Sequence, residues 1–220
     1  MRSVAAGESI VIPVAGGQIE ADLRLPDSAT GLVIFAHGSG SSRFSSRNRS
    51  VAEALEKNGF GTLLLDLLTR EEESVDVHTR KYRFDIGLLG RRVLRATDWT
   101  QDRPDLRHLP IGYFGASTGA AAALIGAAGR PHAVRAVVSR GGRPDLAAEA
   151  LPQVKAPTLL IVGGDDEPVI GMNRDAMSLM RTVVGLEIVP GATHLFEEAG
   201  ALEQVIDLAN GWFHRHLTTA

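Results

Sequence analysis

Short apolar runs without polar alternation recur along this chain, and glycine, serine or charged residues follow each of them. The runs are GLVIFAHG, GTLLLDLL, LPIGYFG, AVRAVVS, APTLLIVGG and VGLEIVP. An uninterrupted run of this length is typical of a strand that is covered on both faces. The sequence therefore predicts a set of buried strands.

Helical patterns separate these strands. We predict helices over residues 50–57, 85–100, 118–128, 174–182 and 202–216. In the second helix, apolar side chains recur at helical spacing, and Arg91, Arg92 and Arg95 fall on the opposite, polar side. The charged segment 69–85 (TREEESVDVHTRKYRFD) is expected either to edge a pocket or to be a solvated loop.

Strands that alternate with helices predict an α/β fold, with a mostly parallel central sheet and helices on both faces. The first two β-rich segments, SIVIPV and QIEADLRL, are joined by AGG and predict a hairpin. In a sheet of this kind, ligands bind beyond the carboxyl ends of the strands. We therefore expect functional residues directly after the apolar runs.

One serine stands in such a place. Ser117 lies in GASTG, between the run IGYF and an alanine-rich helical stretch. This G-x-S-x-G pattern in a strand–turn–helix setting is the nucleophile elbow, in which small neighbours permit a strained turn. Tight packing of a helix on a sheet would also explain the small residues. The setting favours Ser117 as a nucleophile.

A serine nucleophile needs a base and a group that orients the base. His194 follows the last apolar run, whereas the other histidines lie in charged loops, turns or the final helix. Asp165 and Asp166 both follow APTLLIVGG, and we prefer Asp166; an aspartate that caps the next helix is the structural alternative. The order Ser117, Asp166, His194 is the order expected for a hydrolase of this architecture.

Donors for a developing oxyanion are expected from two backbone N–H groups. Thr118 follows the nucleophile at a helix N-terminus, and Ser39 lies in the glycine-rich HGSGSS segment. His37 is expected to hold this segment rather than to transfer protons. The segment has neither the lysine nor the spacing of a phosphate-binding P-loop.

Arg140 follows AVRAVVS, at the same predicted edge of the sheet. It is a candidate for binding a substrate carboxylate. A salt bridge to Asp145 or to a neighbouring acid is the alternative, and we rank it slightly ahead. Arg43, Arg47 and Arg49 are candidates for anchoring the loop after Ser39, although packing at a helix N-terminus explains them more simply.

Composition limits the function further. The chain has 220 residues, a formal net charge of -3 and no cysteine, which excludes disulfides and thiolate chemistry. We expect one domain over residues 1–220, no affinity for nucleic acid or membrane, and no cofactor or metal. The N-terminus lacks the pattern of a signal peptide, so a cytoplasmic protein is expected.

The motifs HGSGSSRFSSRN, GASTG, VGGDDEPV and GATHLF together resemble the α/β-hydrolase superfamily, and within it the small dienelactone-hydrolase-like branch. The resemblance implies cofactor-free hydrolysis of an ester or lactone and supports Asp166 over Asp165. Dienelactone hydrolase itself uses a cysteine nucleophile, whereas the position here is Ser117, so carboxylic ester hydrolysis is the safer expectation.

Two other functions remain open from the sequence. An acyltransferase or perhydrolase would use the same three residues, and a low-turnover sensor would keep the fold. The segment RGGRPDLAAEALPQVKA, between two predicted strands, is too short for a substantial cap. We therefore expect an open site for small or flexible esters, and the sequence does not determine the oligomeric state.

Overall fold

The computed structural model describes residues 7–218. Its strands are β1 Glu8–Val14, β2 Gly17–Arg24, β3 Leu32–Ala36, β4 Gly61–Leu65, β5 Ile111–Ala116, β6 Val134–Arg140, β7 Thr158–Gly163 and β8 Val184–Val189. They form one sheet in the order β1-β2-β4-β3-β5-β6-β7-β8. Residues 1–6 and 219–220 lie outside the described range. The first of these segments is the start of the N-terminus, which the sequence analysis compared with a signal peptide.

The sheet is mostly parallel, as predicted. β1 and β2 form the predicted antiparallel hairpin, and β2 is also antiparallel to β4. The pairs from β4 through β3, β5, β6 and β7 to β8 are all parallel. The buried strands β3, β4 and β5 have no exposed position, whereas buried and exposed positions alternate in β1. The carboxyl ends of the parallel strands therefore share one edge.

Helices cover both faces of the sheet. They are α1 Ser46–Lys57, α2 Arg70–Thr79, α3 Ile86–Asp102, α4 Thr118–Gly129, α5 Glu167–Leu179 and α6 Ala201–Leu217. α1 and α6 bury one apolar core against the sheet, and α3, α4 and α5 bury the other. No helix in the described range is long and apolar enough to cross a membrane.

The segment predicted as a loop contains a helix, α2. Thr69 caps its start: the Thr69 hydroxyl accepts from the Glu72 N–H at 3.1 Å, and the Glu72 carboxylate accepts from the Thr69 N–H at 2.9 Å. This reciprocal capping box satisfies two free donors of the first turn. α2 has no broad apolar stripe, which is why its sequence resembled a solvated loop.

Two details of the other helices also differ from the prediction. α5 begins at Glu167 rather than at residue 174, with Asp166 at its N-cap position. Arg92 in α3 is buried rather than on a polar face. Its guanidinium donates to Glu72 Oε1 at 2.6 Å and to the Ala15 carbonyl at 3.1 Å, so it joins α2 and the β1–β2 turn to α3.

The connection between β6 and β7 is short and contains a 3-10 helical segment, Pro144–Gln153. Ala147 and Leu151 of this segment are buried in the core on the α4 and α5 side of the sheet. The segment packs down beside the sheet, and no cap domain is inserted here. The expected absence of a substantial cap is confirmed.

Candidate active site

Three predicted side chains meet at the carboxyl edge of the sheet. Ser117 follows β5, Asp166 lies just after β7, and His194 lies in the loop between β8 and α6. His194 Nε2 is 3.2 Å from Ser117 Oγ, and His194 Nδ1 is 2.7 Å from Asp166 Oδ2. Residues distant in sequence therefore form one continuous chain of hydrogen bonds.

The hydrogen bonds assign the tautomer of His194. A carboxylate only accepts hydrogen bonds, so Nδ1 carries the proton and donates to Asp166, which leaves the Nε2 lone pair facing the serine hydroxyl. Asp165 is exposed, and its backbone N–H donates to the Ala192 carbonyl at 3.0 Å. Of the two adjacent aspartates, Asp166 contacts the imidazole and Asp165 holds the loop through its backbone.

Ser117 occupies a strained turn between β5 and α4. Its φ of 50° and ψ of -122° lie where residues with a side chain are rare. Backbone hydrogen bonds hold this conformation: the Ser117 N–H donates to the Arg140 carbonyl at 3.2 Å, and the Ser117 carbonyl accepts from Arg143 N–H at 3.1 Å. The neighbouring strand β6 and the loop after it thus fix the serine.

The glycines of GASTG allow α4 to approach the sheet closely. A Cβ on Gly119 would lie 2.2 Å from the Ala36 carbonyl oxygen and 2.4 Å from the His37 carbonyl oxygen. A Cβ on Gly115 would lie 2.5 Å from the Cα of Ala120. All these contacts are with backbone, which cannot move aside easily, so both positions require glycine.

The two expected oxyanion donors lie side by side. Thr118 is the first residue of α4, where backbone N–H groups have no partner within the helix. The Ser39 N–H, however, donates to the Thr118 hydroxyl oxygen at 2.8 Å. A side-chain role for Thr118 was not predicted, because a G-x-S-x-G pattern does not specify the residue after the serine.

His37 holds the loop that carries Ser39. Its Nδ1 donates to the Gly38 carbonyl at 2.8 Å, and its Nε2 accepts from the Leu67 N–H at 3.2 Å. Burial lowers the pKa of His37, although the Gly38 carbonyl and the Asp66 carboxylate oppose this effect. A neutral imidazole therefore bridges β3 and the segment after β4.

Arg140 does not form the salt bridge to Asp145 that we ranked ahead. Asp145 instead accepts from Arg143 Nε and Nη2 at 2.9 and 2.8 Å. Arg140 is buried, its Nη2 is 3.5 Å from Asn48 Oδ1, and its guanidinium carbon is 6.0 Å from the centre of the Phe196 ring. Its Nε and Nη1 have no hydrogen-bond partner within residues 7–218.

The other arginines near this edge are paired. Arg43 forms ion pairs with Glu20 at 2.6 Å and with Asp66. Arg47, in the first turn of α1, pairs with Glu197 at 2.8 Å. No sequence pattern linked Arg47 or Phe196 to Arg140, since they come together only when the loop after β8 packs on α1.

By its fold, the protein is an α/β hydrolase. Est1E from Butyrivibrio proteoclasticus is 16% identical and has a TM-score of 0.79 over 96% of this chain and 98% of that chain. A serine hydrolase homologue from Coxiella burnetii is 18% identical, with a TM-score of 0.76 over 95% and 98% of the two chains. At these identities the likeness shows the fold alone.

Closer relatives define the family. The chain belongs to the dienelactone hydrolase family, whose model matches residues 19–208. A dienelactone hydrolase from Anabaena variabilis, whose crystal structure is known, is 58% identical to this chain in sequence. The two structures have a TM-score of 0.94 over 96% of this chain and 98% of that one. Membership of this family supports a hydrolase activity on a small molecule.

Two curated relatives have a different name. They come from two strains of Mycobacterium tuberculosis and are called "putative phosphoribosyl transferase". Each is 56% identical over 206 residues, which is 94% of this chain. The chain spans only 44% of the length of these relatives, so their name describes proteins with a large additional part.

Proposed function

We propose that the protein hydrolyses a carboxylic ester or lactone through an acyl-enzyme formed on Ser117. The observation that carries this proposal is the continuous hydrogen-bonded series from Asp166 Oδ2 through the His194 ring to Ser117 Oγ, at 2.7 and 3.2 Å. A base within reach of a nucleophile, itself oriented by a third group, is the arrangement required for nucleophilic acyl transfer.

In the first half-reaction, the Ser117 oxygen attacks the carbonyl carbon while His194 Nε2 takes the hydroxyl proton. The carbonyl electrons move to the oxygen, and Asp166 stabilises the imidazolium. His194 then gives its proton to the alcohol oxygen as the C–O bond breaks. The alcohol of an ester leaves, whereas that of a lactone stays attached to the acyl group, and in both cases the acyl group stays on Ser117.

In the second half-reaction, water takes the place of the serine hydroxyl. His194 removes a proton from the water, whose oxygen attacks the acyl carbon, and then returns the proton to Ser117. One water is consumed, and an ester gives one acid and one alcohol, whereas a lactone gives one hydroxy acid. No cofactor enters the balance.

The negative charge that develops on the carbonyl oxygen needs fixed donors. The N–H groups of Thr118 and Ser39 are assigned this role. The Thr118 N–H lies at the positive end of α4. When the substrate binds, the Ser39 N–H must break its hydrogen bond to the Thr118 hydroxyl and donate to the substrate oxygen instead. Both acceptors are oxygen atoms.

The test is a panel of p-nitrophenyl esters and lactones of graded size, assayed on the wild type and on Ser117→Ala. We expect turnover of at least one member by the wild type, and a loss of about 10,000-fold or more in the variant. A serine-directed phosphonate should label the wild type and not Ser117→Ala. Undiminished turnover by Ser117→Ala would contradict the proposal.

Additional measurements on the same panel separate the alternative functions. Adding an alcohol or peroxide acceptor distinguishes an acyltransferase or perhydrolase, because the acyl group would then go to the acceptor in preference to water. Stoichiometric labelling without turnover of any ester would indicate a sensor. We do not propose phosphoribosyl transfer for this chain, because that name belongs to proteins of which the chain spans only 44% of the length.

A further inference from the structure

The strand β8 forms one edge of the sheet, and within residues 7–218 no strand pairs with its outer side. β7 pairs with its inner side along the whole strand. The carbonyls of Val183, just before β8, and of Val189, at its end, accept hydrogen bonds from the β7 side at 2.9 and 2.8 Å. Because the backbone groups of successive residues alternate in direction, three residues of β8 turn their N–H and C=O groups outward: Val184, Leu186 and Ile188.

The side chains of β8 form an apolar rim at this edge. Val184 packs partly against the core on the α5 side, and Leu186 and Ile188 follow on the same face by alternation. All three are only half-buried. Val183, which leads into the strand, is 64% exposed, and Glu187 is the one charged residue of β8. An edge strand with free backbone groups and apolar side chains is a template for pairing with another strand.

The opposite edge of the sheet is protected against such pairing. β1 contains Pro13, which has no N–H to donate. The Pro13 carbonyl accepts from Arg95 Nε at 3.2 Å, and the Ala15 carbonyl, just after the strand, accepts from Arg92 Nη1 at 3.1 Å. Proline and charged side chains are common means of blocking an edge strand. β8 contains neither proline nor a basic residue, so its edge is open to a partner.

The residues of β8 complement a second copy of the same strand in antiparallel orientation. When the two Leu186 residues lie opposite each other on a twofold axis, Val184 lies opposite Ile188 of the second copy. Each of these pairs has its N–H and C=O groups turned toward the other strand and can exchange two hydrogen bonds. On the α5 face, apolar side chains then meet only apolar side chains. On the other face, Glu187 lies opposite Gly185, so the two carboxylates do not face each other.

The neighbouring registers fit less well. An axis at Glu187 puts the two carboxylates directly opposite each other, and it brings Pro190, which has no N–H, against Val184. An axis at Gly185 pairs Ile188 with Thr182, a polar residue outside the strand. The sequence of β8 therefore favours one register for pairing with itself.

We propose that the protein forms a symmetric homodimer through β8, in which the two sheets join into one continuous sheet around a twofold axis at Leu186. A second copy fits this edge better than a strand of another protein, because the residues of β8 complement one another in a single register. The inference goes beyond the proposed ester hydrolysis and does not depend on it. The contact involves one short strand and its flanks, so its area is small and we expect a dissociation constant of about 1 to 100 μM.

Sedimentation equilibrium over about 1 to 500 μM protein measures this dissociation constant. Leu186→Lys places two ammonium groups opposite each other and should raise the dissociation constant at least about tenfold. Val11→Lys is the matched control, because Val11 is an exposed valine of β1, the opposite edge strand. The control should dimerise like the wild type. The melting temperature of both variants shows whether they remain folded.

Because the chain has no cysteine, single cysteines provide a second test, which does not require Leu186→Lys to fold. In a hydrogen-bonded antiparallel pair, opposite Cα atoms lie about 5.5 Å apart, within reach of a disulfide. After oxidation with diamide, Leu186→Cys should therefore cross-link to itself. Val184→Cys and Ile188→Cys should each cross-link poorly alone and readily when mixed, since each lies opposite the other. Val11→Cys is the control for random collision.

Three results would overturn the inference. They are a wild type that stays monomeric up to about 500 μM, cross-linking of Val11→Cys as efficient as that of Leu186→Cys, and no gain in cross-linking when Val184→Cys and Ile188→Cys are mixed. The first result would leave this edge to a strand of another protein. These outcomes are independent of catalysis, because Ser117→Ala should dimerise like the wild type whether or not the protein hydrolyses esters.

Discussion

The backbone N–H of Ser39 donates a hydrogen bond to the hydroxyl of Thr118 at 2.8 Å. Both residues are assigned to the oxyanion site through their backbone N–H groups. The Thr118 side chain therefore competes with the substrate oxygen for one of the two donors.

Replacing Thr118 with valine removes this competitor with little change in shape. We expect kcat/KM for a neutral ester to rise about two- to fivefold, which corresponds to part of the net free energy of one neutral hydrogen bond. Thr118→Ser restores an acceptor and is the control, with activity near that of the wild type. A fall in activity with valine would mean that the hydroxyl holds the Ser39 loop in position and does not compete.

Asp166 and Asp165 form a matched pair for testing the orienting role. An asparagine side chain has one oxygen acceptor and one NH2 donor in place of two acceptor oxygens. When its NH2 group faces Nδ1, it favours the imidazole tautomer that carries the proton on Nε2, which cannot accept the serine proton. We expect kcat of Asp166→Asn to fall about 100- to 10,000-fold. Asp165→Asn, at an exposed neighbour, should stay within about twofold of the wild type. The comparison is made by steady-state kinetics on one ester.

The stability of the protein should depend on pH through His37. Its pKa in the folded protein lies below the usual value of 6.5, because burial disfavours the imidazolium. Below pH 6.5 the unfolded chain therefore binds a proton that the folded protein resists, and the free energy of unfolding falls as the pH falls. Above that value His37 makes no pH-dependent contribution.

Denaturant unfolding between pH 5 and pH 8 tests this prediction. The fall in stability on the acid side should be shallower in His37→Gln than in the wild type, whatever the absolute stability of the variant. His132→Gln, at an exposed histidine, is the control. Parallel profiles for His37→Gln and the wild type would show that His37 does not contribute.

Gly119 and Gly171 allow a comparison of two helical glycines. A Cβ at Gly119 meets two backbone carbonyl oxygens, whereas a Cβ at Gly171 meets nothing within 4 Å. We expect Gly119→Ala to lower the free energy of unfolding by about 3 kcal/mol, because α4 must move off β3. Gly171→Ala should raise it by about 0.5 to 1 kcal/mol, as expected at an open helical position. Chemical denaturation measures both, and an equal effect would refute the packing argument.

The topology explains why the sequence alone predicted the convergence of Ser117, Asp166 and His194. Ser117 and Asp166 each follow a continuously apolar run that forms a buried strand, whereas His194 follows β8, an edge strand in which only Val189 is buried. Parallel strands bring their carboxyl ends to one edge of the sheet. The order of the runs along the sequence is therefore sufficient to predict that the three residues meet, and no detailed geometry is needed. The preference for Asp166 over Asp165 rests on its place one step further past the Gly-Gly turn and is supported by the resemblance, since adjacent loop residues have no periodicity to distinguish them.

The partner of Arg140 was predicted wrongly for a reason that strand geometry makes clear. Ala136 and Val138 face the core formed with α1 and α6, and Arg140 continues this alternation. Asp145 lies in the first turn of the 3-10 segment, which packs on the opposite side of the sheet, with α4 and α5. Arg140 and Asp145 are close in sequence but lie on opposite sides of the sheet, so they do not pair. Asp145 pairs with Arg143 instead.

α2 shows a second limit of sequence patterns. Its exposed acidic first turn has no apolar stripe to reveal a helix. The helix depends instead on the Thr69 cap and on the buried Asp76, which accepts from the N–H groups of Tyr82 and Arg83 at 2.6 and 3.0 Å. Such contacts follow from the fold and cannot be read from periodicity.

The 3-10 segment Pro144–Gln153 packs beside α4 and leaves Ser117 without a cap from this connection. Only the acyl carbon, the leaving oxygen and their nearest neighbours then have to enter the site. An ester at the end of a much larger molecule, such as a side chain on a polymer, would meet the same catalytic groups as a free ester. The β6–β7 connection would then neither limit the size of the part of the substrate that stays outside the site nor have to open before the product leaves.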